Sequence, residues 1–189
     1  MAVVKHSAQR VGIFIDTANL YHSAKNLYKS KVNFGNVVKD ALGGRTLIRA
    51  IAYVISTEGG DEKAFFDALT KMGIETKSKD LQVFYGGAKK ADWDVGITVD
   101  AIVLAEKLDV AVIVSGDGDY VPLIEYLKMK GVQVEVAAFG RSTSSKLREV
   151  SDAFLDLSET PEKYLMRIRG ARGTSQNHQS NTVDNISEE

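Results

Sequence analysis

This chain should fold as a doubly wound α/β domain, with a mostly parallel sheet and helices on both faces. Three observations lead to that expectation. Short runs of β-branched residues alternate with stretches of helical periodicity through most of the 189 residues. Several runs are apolar throughout, as in strands covered on both faces. The clearest two, Val11–Ile15 and Val110–Val114, lead within a few residues to Asp16 and to Asp117. In an open parallel sheet, ligands bind just beyond the carboxyl ends of the strands. Two carboxylates delivered to that edge repel, and a hard divalent cation with oxygen ligands would relieve the repulsion.

The elements follow in order. After a polar lead over residues 1–10, the first strand covers Val11–Asp16. Leu20, Ala24 and Leu27 then recur at helical spacing through Thr17–Tyr28, with Asn19 in the first turn. Asn33 is placed to cap a helix over FGNVVKDAL, and Gly43–Gly44 to end it. Ile48–Ser56 reads as the second strand. GGDEKAFFDALTKMG reads as an amphipathic helix with Ala64, Phe65, Ala68, Leu69 and Met72 inward and Gly73 at its end. LQVFYGG reads as a third strand and turn, Asp94–Leu108 as a helix, and Val110–Ser115 as a strand. A helix over Asp119–Lys130 tolerates Pro122 in its first turn. The strand VQVEVAAFG, the helix-like SSKLREVSD and the short strand AFLDL complete a domain over residues 11–169. From Gly170 the chain is polar and rich in Ser and Asn, and residues 170–189 should be a disordered tail.

Composition narrows the chemistry. Cysteine is absent, which excludes disulfides, thiolate metal sites and cysteine nucleophiles. The three histidines, His6, His22 and His178, are scattered, so neither a histidine zinc site nor a histidine general base is expected. A net charge of −1 excludes a globally basic surface but not a local basic patch. No apolar stretch approaches the roughly 20 residues that span a membrane, and MAVVKHSAQR lacks the apolar core of a signal peptide. A cytoplasmic protein is expected.

The acidic residues carry the functional signal. Asp16 could simply cap the following helix, with Asn19 three residues on facing the same edge. Asp117 and Asp119 lie in SGDGDY, where glycines allow a sharp turn. Two carboxylates in three residues after a buried strand are more than a turn requires. On one ideal helix Asp94 and Asp100 would diverge by about 120° and be offset by about 9 Å. If that helix began near Ile97, both could approach the sheet edge. Asp100 interrupts the apolar run VDAIVLA and needs a partner if buried. Asp92 reads as a solvated loop charge. Other metal- and phosphate-handling patterns fail. Ala18 stands where a haloacid-dehalogenase phosphatase needs a second Asp, DTANL lacks the serines of an adhesion-domain metal site, and no G-x-G-x-x-G follows the first strand.

In combination these segments resemble the NYN family of PIN-like nucleases, in its LabA-like branch. FIDTANLY matches the opening D-x-x-N motif at Asp16 and Asn19. AKKADWDVGITVDAIVLA looks like the family's K-x-x-D-V-x-x-x-x-D segment, with one extra residue after Lys90. VIVSGDGDYVPLIEYLKMKG matches the S-G-D-x-D-[FY]-x-P-L stretch. The resemblance implies a three-layer, Rossmann-like PIN fold and a metal-dependent endoribonuclease acting on single-stranded RNA. Asp16, Asn19, Asp94, Asp100, Asp117 and Asp119 would be its site positions and Mg²⁺ or Mn²⁺ its cofactor. Asp16 and Asp117 would be the primary ligands, with Asp94 or Asp100 completing the set, Asp119 near a second metal or the water, and Asn19 and Ser115 toward the substrate. Such a site needs a positive rim for RNA, for which Lys89, Lys90, Arg141, Lys146 and Arg148 are candidates. Tyr21, Tyr85 and Tyr120 could stack bases. The same resemblance allows a module that binds RNA or a protein partner without cutting, and leaves room for a homodimer.

Overall fold

The computed structural model describes residues 3, 5–56, 62–80, 82–83, 89–90 and 92–166, with the backbone alone at 62, 82–83 and 89–90. The expected tail and Tyr85 lie outside the described residues. The chain opens with β1 (Arg10–Asp16), α1 (Thr17–Tyr28), α2 (Phe34–Leu42) and β2 (Thr46–Ser56). Next come α3 (Glu62–Lys71), β3 (Glu75–Asp80) and the two-residue strands β4 (Gln82–Val83) and β5 (Lys89–Lys90). Then follow α4 (Asp94–Leu104), β6 (Val110–Val114), α5 (Val121–Met129), β7 (Gln133–Ala138), α6 (Ser145–Val150), β8 (Ala153–Asp156) and α7 (Pro161–Tyr164). Single 3₁₀ turns occupy Ala105–Lys107, Gly118–Tyr120 and Gly140–Ser142.

Six strands form one parallel sheet in the order β3-β2-β1-β6-β7-β8, so the order reverses between β1 and β6. Two cores cover it. On one face Ile13, Ile15, Val112 and Val114 pack against Leu20, Ala24, Val37, Leu69 and Tyr164 of α1, α2, α3 and α7. On the other, Phe14, Ile51 and Ile113 pack against Ile97, Ala101, Ile124, Leu127 and Leu147 of α4, α5 and α6. The expected three-layer α/β architecture is therefore present. Among the described residues no helix is long and apolar enough to cross a membrane.

Local chemistry sets the helix ends. Asp16 caps α1, Asn33 caps α2, and Gly43 ends α2 in the left-handed conformation at φ 58°. Two expectations need correction. The third strand of the sheet is Glu75–Asp80, not LQVFYGG, of which Gln82–Val83 instead pairs antiparallel with Lys89–Lys90. Among the described side chains of α3 only Leu69 is fully buried; Ala64, Ala68 and, just past the helix, Met72 are exposed, because α3 lies on the outer strands of the sheet and presents a narrow face. The helix α4 begins at Asp94, as expected, so Asp94 belongs to the helix and not to the loop before it, and the helix gives way to a 3₁₀ turn at Ala105–Lys107.

Candidate metal and phosphate site

The reversal of strand order leaves a crevice beyond the carboxyl ends of β1 and β6, the usual place for a ligand in such a sheet. A cleft of about 170 Å³ occupies it, lined by Asp16, Ala18, Asn19, His22, Ile55, Asp92, Trp93, Asp94 and Asp117. Carboxylate oxygens of Asp94, Asp117 and Asp119 lie within 4.8 Å of one another. The three come from two elements, the first turn of α4 and the turn after β6.

Asp16 stands beside this group and not in it. Its Oδ1 accepts the Asn19 N–H at 3.0 Å, which is the capping role. Its Oδ2 accepts from Ser115 Oγ at 3.3 Å and lies 3.4 Å from Tyr120 Oη. The same phenol donates to Asp94 Oδ1 at 3.0 Å, so Tyr120 bridges the acids of two elements. Asn19 Oδ1 accepts the Gly116 N–H at 3.0 Å and ties α1 to the turn after β6. That turn is tight. A Cβ on Gly116 would come within 3.1 Å of the Ser142 carbonyl oxygen. Ser115, expected toward substrate, is wholly buried, and its Oγ accepts the Asp117 N–H at 3.2 Å.

Electrostatics separates the acids into two kinds. Burial, with the neighbouring Asp94 and Asp117 charges adding to it, raises the pKa of Asp16 above the ordinary carboxylate value. Asp94 is raised as well, by burial first and then by Asp117, Asp92 and Asp119. Among the described residues no lysine or arginine pairs with Asp16, Asp94, Asp117 or Asp119. Asp100 differs. Burial pulls its pKa up, but Lys77 Nζ at 2.7 Å and Tyr53 Oη at 2.6 Å more than compensate, and the net shift is downward. The helical offset carries Asp100 away from Asp94 toward β3, and it does not line the cleft. Asp156, at the end of β8, accepts the Gly140 and Ser158 N–H groups, both at 2.8 Å, and pairs with Arg148.

The donor set suits a hard cation. It consists of carboxylate oxygens from residues without a cationic partner among the described residues, which is the chemistry that Mg²⁺ or Mn²⁺ selects. Of the expected rim, Lys146 pairs with Glu149 at 3.3 Å and Arg148 with Asp156. Arg141 is exposed beside Ser142, whose Oγ meets Ser23 Oγ of α1 at 2.9 Å. Lys89 and Lys90 form β5, and their side chains lie outside the described residues. Tyr120 is 1% exposed and cannot stack a base; Tyr21 is 43% exposed and edge-on to His22. His22 and Asp92, to which no role at the site was expected, both line the cleft. His22 follows Asn19 by three residues on α1, a helical spacing that could have marked it.

These features define an α/β domain with an acidic switch-point site, and the family follows. The NYN domain profile matches residues 10–158, and the chain belongs to that family. The low amplitude and bright protein LabA of Synechococcus elongatus is 28% identical over 160 residues, covering 79% of this chain and 84% of LabA. A crystal structure of a protein of unknown function from Vibrio parahaemolyticus is similar at a TM-score of 0.77 and 28% identity. That match covers 87% of this chain and all of the other.

Proposed function

We propose that the protein is a metal-dependent ribonuclease that hydrolyses phosphodiester bonds of single-stranded RNA at the cleft between β1 and β6. The observation that carries the reading is the convergence of Asp94, Asp117 and Asp119, with Asp16 alongside, where no cation of the described residues balances them. Membership of a family related to PIN-like nucleases supports RNA as the substrate. A bound Mg²⁺ or Mn²⁺ would neutralise charge on the phosphoryl oxygens and lower the pKa of its water. The protein's own groups perform the rest. Asp94, Asp117 and Asp119 present oxygens toward one point, and Asp16 adds one more through Oδ2. Tyr120 and Ser115 hold those carboxylates in place, in the manner of outer partners that orient ligands. Asn19 fixes the Asp117 turn against α1, and exposed Arg141 offers positive charge on the approach. Asp100 serves a different purpose, anchoring α4 to β3 through Lys77.

The test is cleavage of an end-labelled single-stranded RNA with Mn²⁺, with Mg²⁺ and with chelator. Metal-dependent cleavage that Asp117→Asn loses supports the reading. No cleavage by folded protein that nevertheless binds the RNA would make it a binding module.

A further inference from the structure

The edge strand β3 carries a cation that the proposed reading leaves unused. Lys77 and Lys79 alternate along it and project to one face. Lys77 is committed to Asp100 at 2.7 Å. No carboxylate of the described residues pairs with Lys79. Its Nζ stands instead 4.7 Å from the centre of the Trp93 ring. Lys79 is half-buried, and its register partner on β2 is Ile55, one of the residues lining the cleft.

Trp93 is itself held firmly. Its Nε1–H donates to the Val54 carbonyl at 2.9 Å, and its ring meets Tyr53 edge-on at 5.3 Å. It rests on Gly96, where a Cβ would come within 2.6 Å of Trp93 Cε3. It precedes Asp94 directly and lines the same cleft. An aromatic face steadies an ammonium while leaving its N–H donors available to an anion. The acidic cleft, by contrast, repels a polyanion unless a positive group meets it.

We infer that Lys79, held over Trp93, binds a backbone phosphate and seats a single-stranded RNA at the acidic cleft. The inference rests on the RNA reading above and extends it to a residue on the polar edge strand.

The experiment measures binding apart from cleavage. Fluorescence anisotropy follows a labelled single-stranded RNA on the full chain carrying Asp117→Asn, with Mn²⁺, across a range of salt. Adding Lys79→Met should weaken binding by about 3- to 10-fold and flatten the salt dependence by about 0.7 in log–log slope, the signature of one lost phosphate contact on a single strand. Lys79→Arg should restore both, because a guanidinium stacks on the ring and binds phosphate. Trp93 is the single tryptophan, so its emission verifies the local fold of each variant and should change on RNA addition to the parent. Equal affinity and slope in Lys79→Met with an intact Trp93 signal would overturn the inference, as would a parent that binds no RNA even at low salt. Lys79-dependent binding by a protein that fails to cleave would sink the hydrolytic reading alone. Cleavage with Lys79-independent binding would sink this one alone.

Discussion

At Asp16 the two carboxylate oxygens meet different demands: Oδ1 caps α1, while Oδ2 faces Ser115, Tyr120 and the cleft. Asparagine keeps the capping oxygen and removes the charge. Asp16→Asn is therefore expected to keep the fold while losing metal-dependent cleavage by on the order of 100-fold or more, because Oδ2 no longer offers a charged oxygen to the cation. Metal-free melting should be unchanged or raised, because a buried, repelled charge is gone. Circular dichroism and a cleavage assay on one preparation check both parts. Tyr120→Phe makes a separate demonstration. The ring stays buried, but the bridge between Asp94 and Asp16 is lost. Metal affinity should fall about 10- to 100-fold with stability changed by about 1 kcal/mol, as read by Mn²⁺ titration. Unchanged affinity would show that the phenol does not orient the acids.

Between elements, two ion pairs brace the sheet away from the cleft. Arg45 forks onto Glu135 at 2.7 and 2.9 Å, with both side chains 5% exposed or less. Arg45→Met should leave the buried Glu135 with Lys5 and the Gln133 amide in place of the guanidinium fork, and cost about 3–5 kcal/mol in urea unfolding. Asp100→Asn removes the charge that pairs with Lys77 between α4 and β3. It should lower stability by about 1–2 kcal/mol and leave Mn²⁺ affinity within about twofold, opposite to the expectation for Asp117→Asn. Loss of Mn²⁺ binding would return Asp100 to the site. This division was half legible in the sequence. Helical geometry already separated Asp94 from Asp100, but only the start of α4 at Asp94 decided which of them the cleft receives. The apolar strands and side-chain caps were legible because burial and capping each demand particular residues. β3 was not. Its sequence, ETKSKD, lies on the sheet edge with one neighbour and carries no apolar signal, so the roles of its lysines, Lys77 on Asp100 and Lys79 over Trp93, were invisible too. Tyr120 was visible as an aromatic, yet its role depends on a carboxylate distant in sequence.

Over the whole molecule, protonation pulls stability in two directions. Asp16 and Asp94 have raised folded pKa values, so the folded state holds their protons more tightly than the unfolded chain. Their contribution is complete below the unfolded value and is lost as pH rises through the folded one. Asp100 and Glu135 shift the other way: burial opposes their ionisation, but Lys77 and Tyr53 in one case and Arg45 in the other outweigh it. Their contribution is present above the unfolded value and is lost as pH falls through the folded one. Metal-free protein at neutral pH thus retains the bracing pairs and bears the strain of the acidic cleft. A divalent cation bound there should remove that strain, and by mass action should add about 2.7 kcal/mol at ~100 times its dissociation constant. The most direct measurement is differential scanning calorimetry with and without Mn²⁺, on the parent and on the double variant Asp16→Asn, Asp117→Asn, at neutral pH and again in the carboxylate range. The expected result is a metal-induced rise in melting temperature for the parent that shrinks as pH falls, with almost none in the double variant. An equal rise in both proteins would place the cation elsewhere and contradict the acidic edge as the catalytic centre.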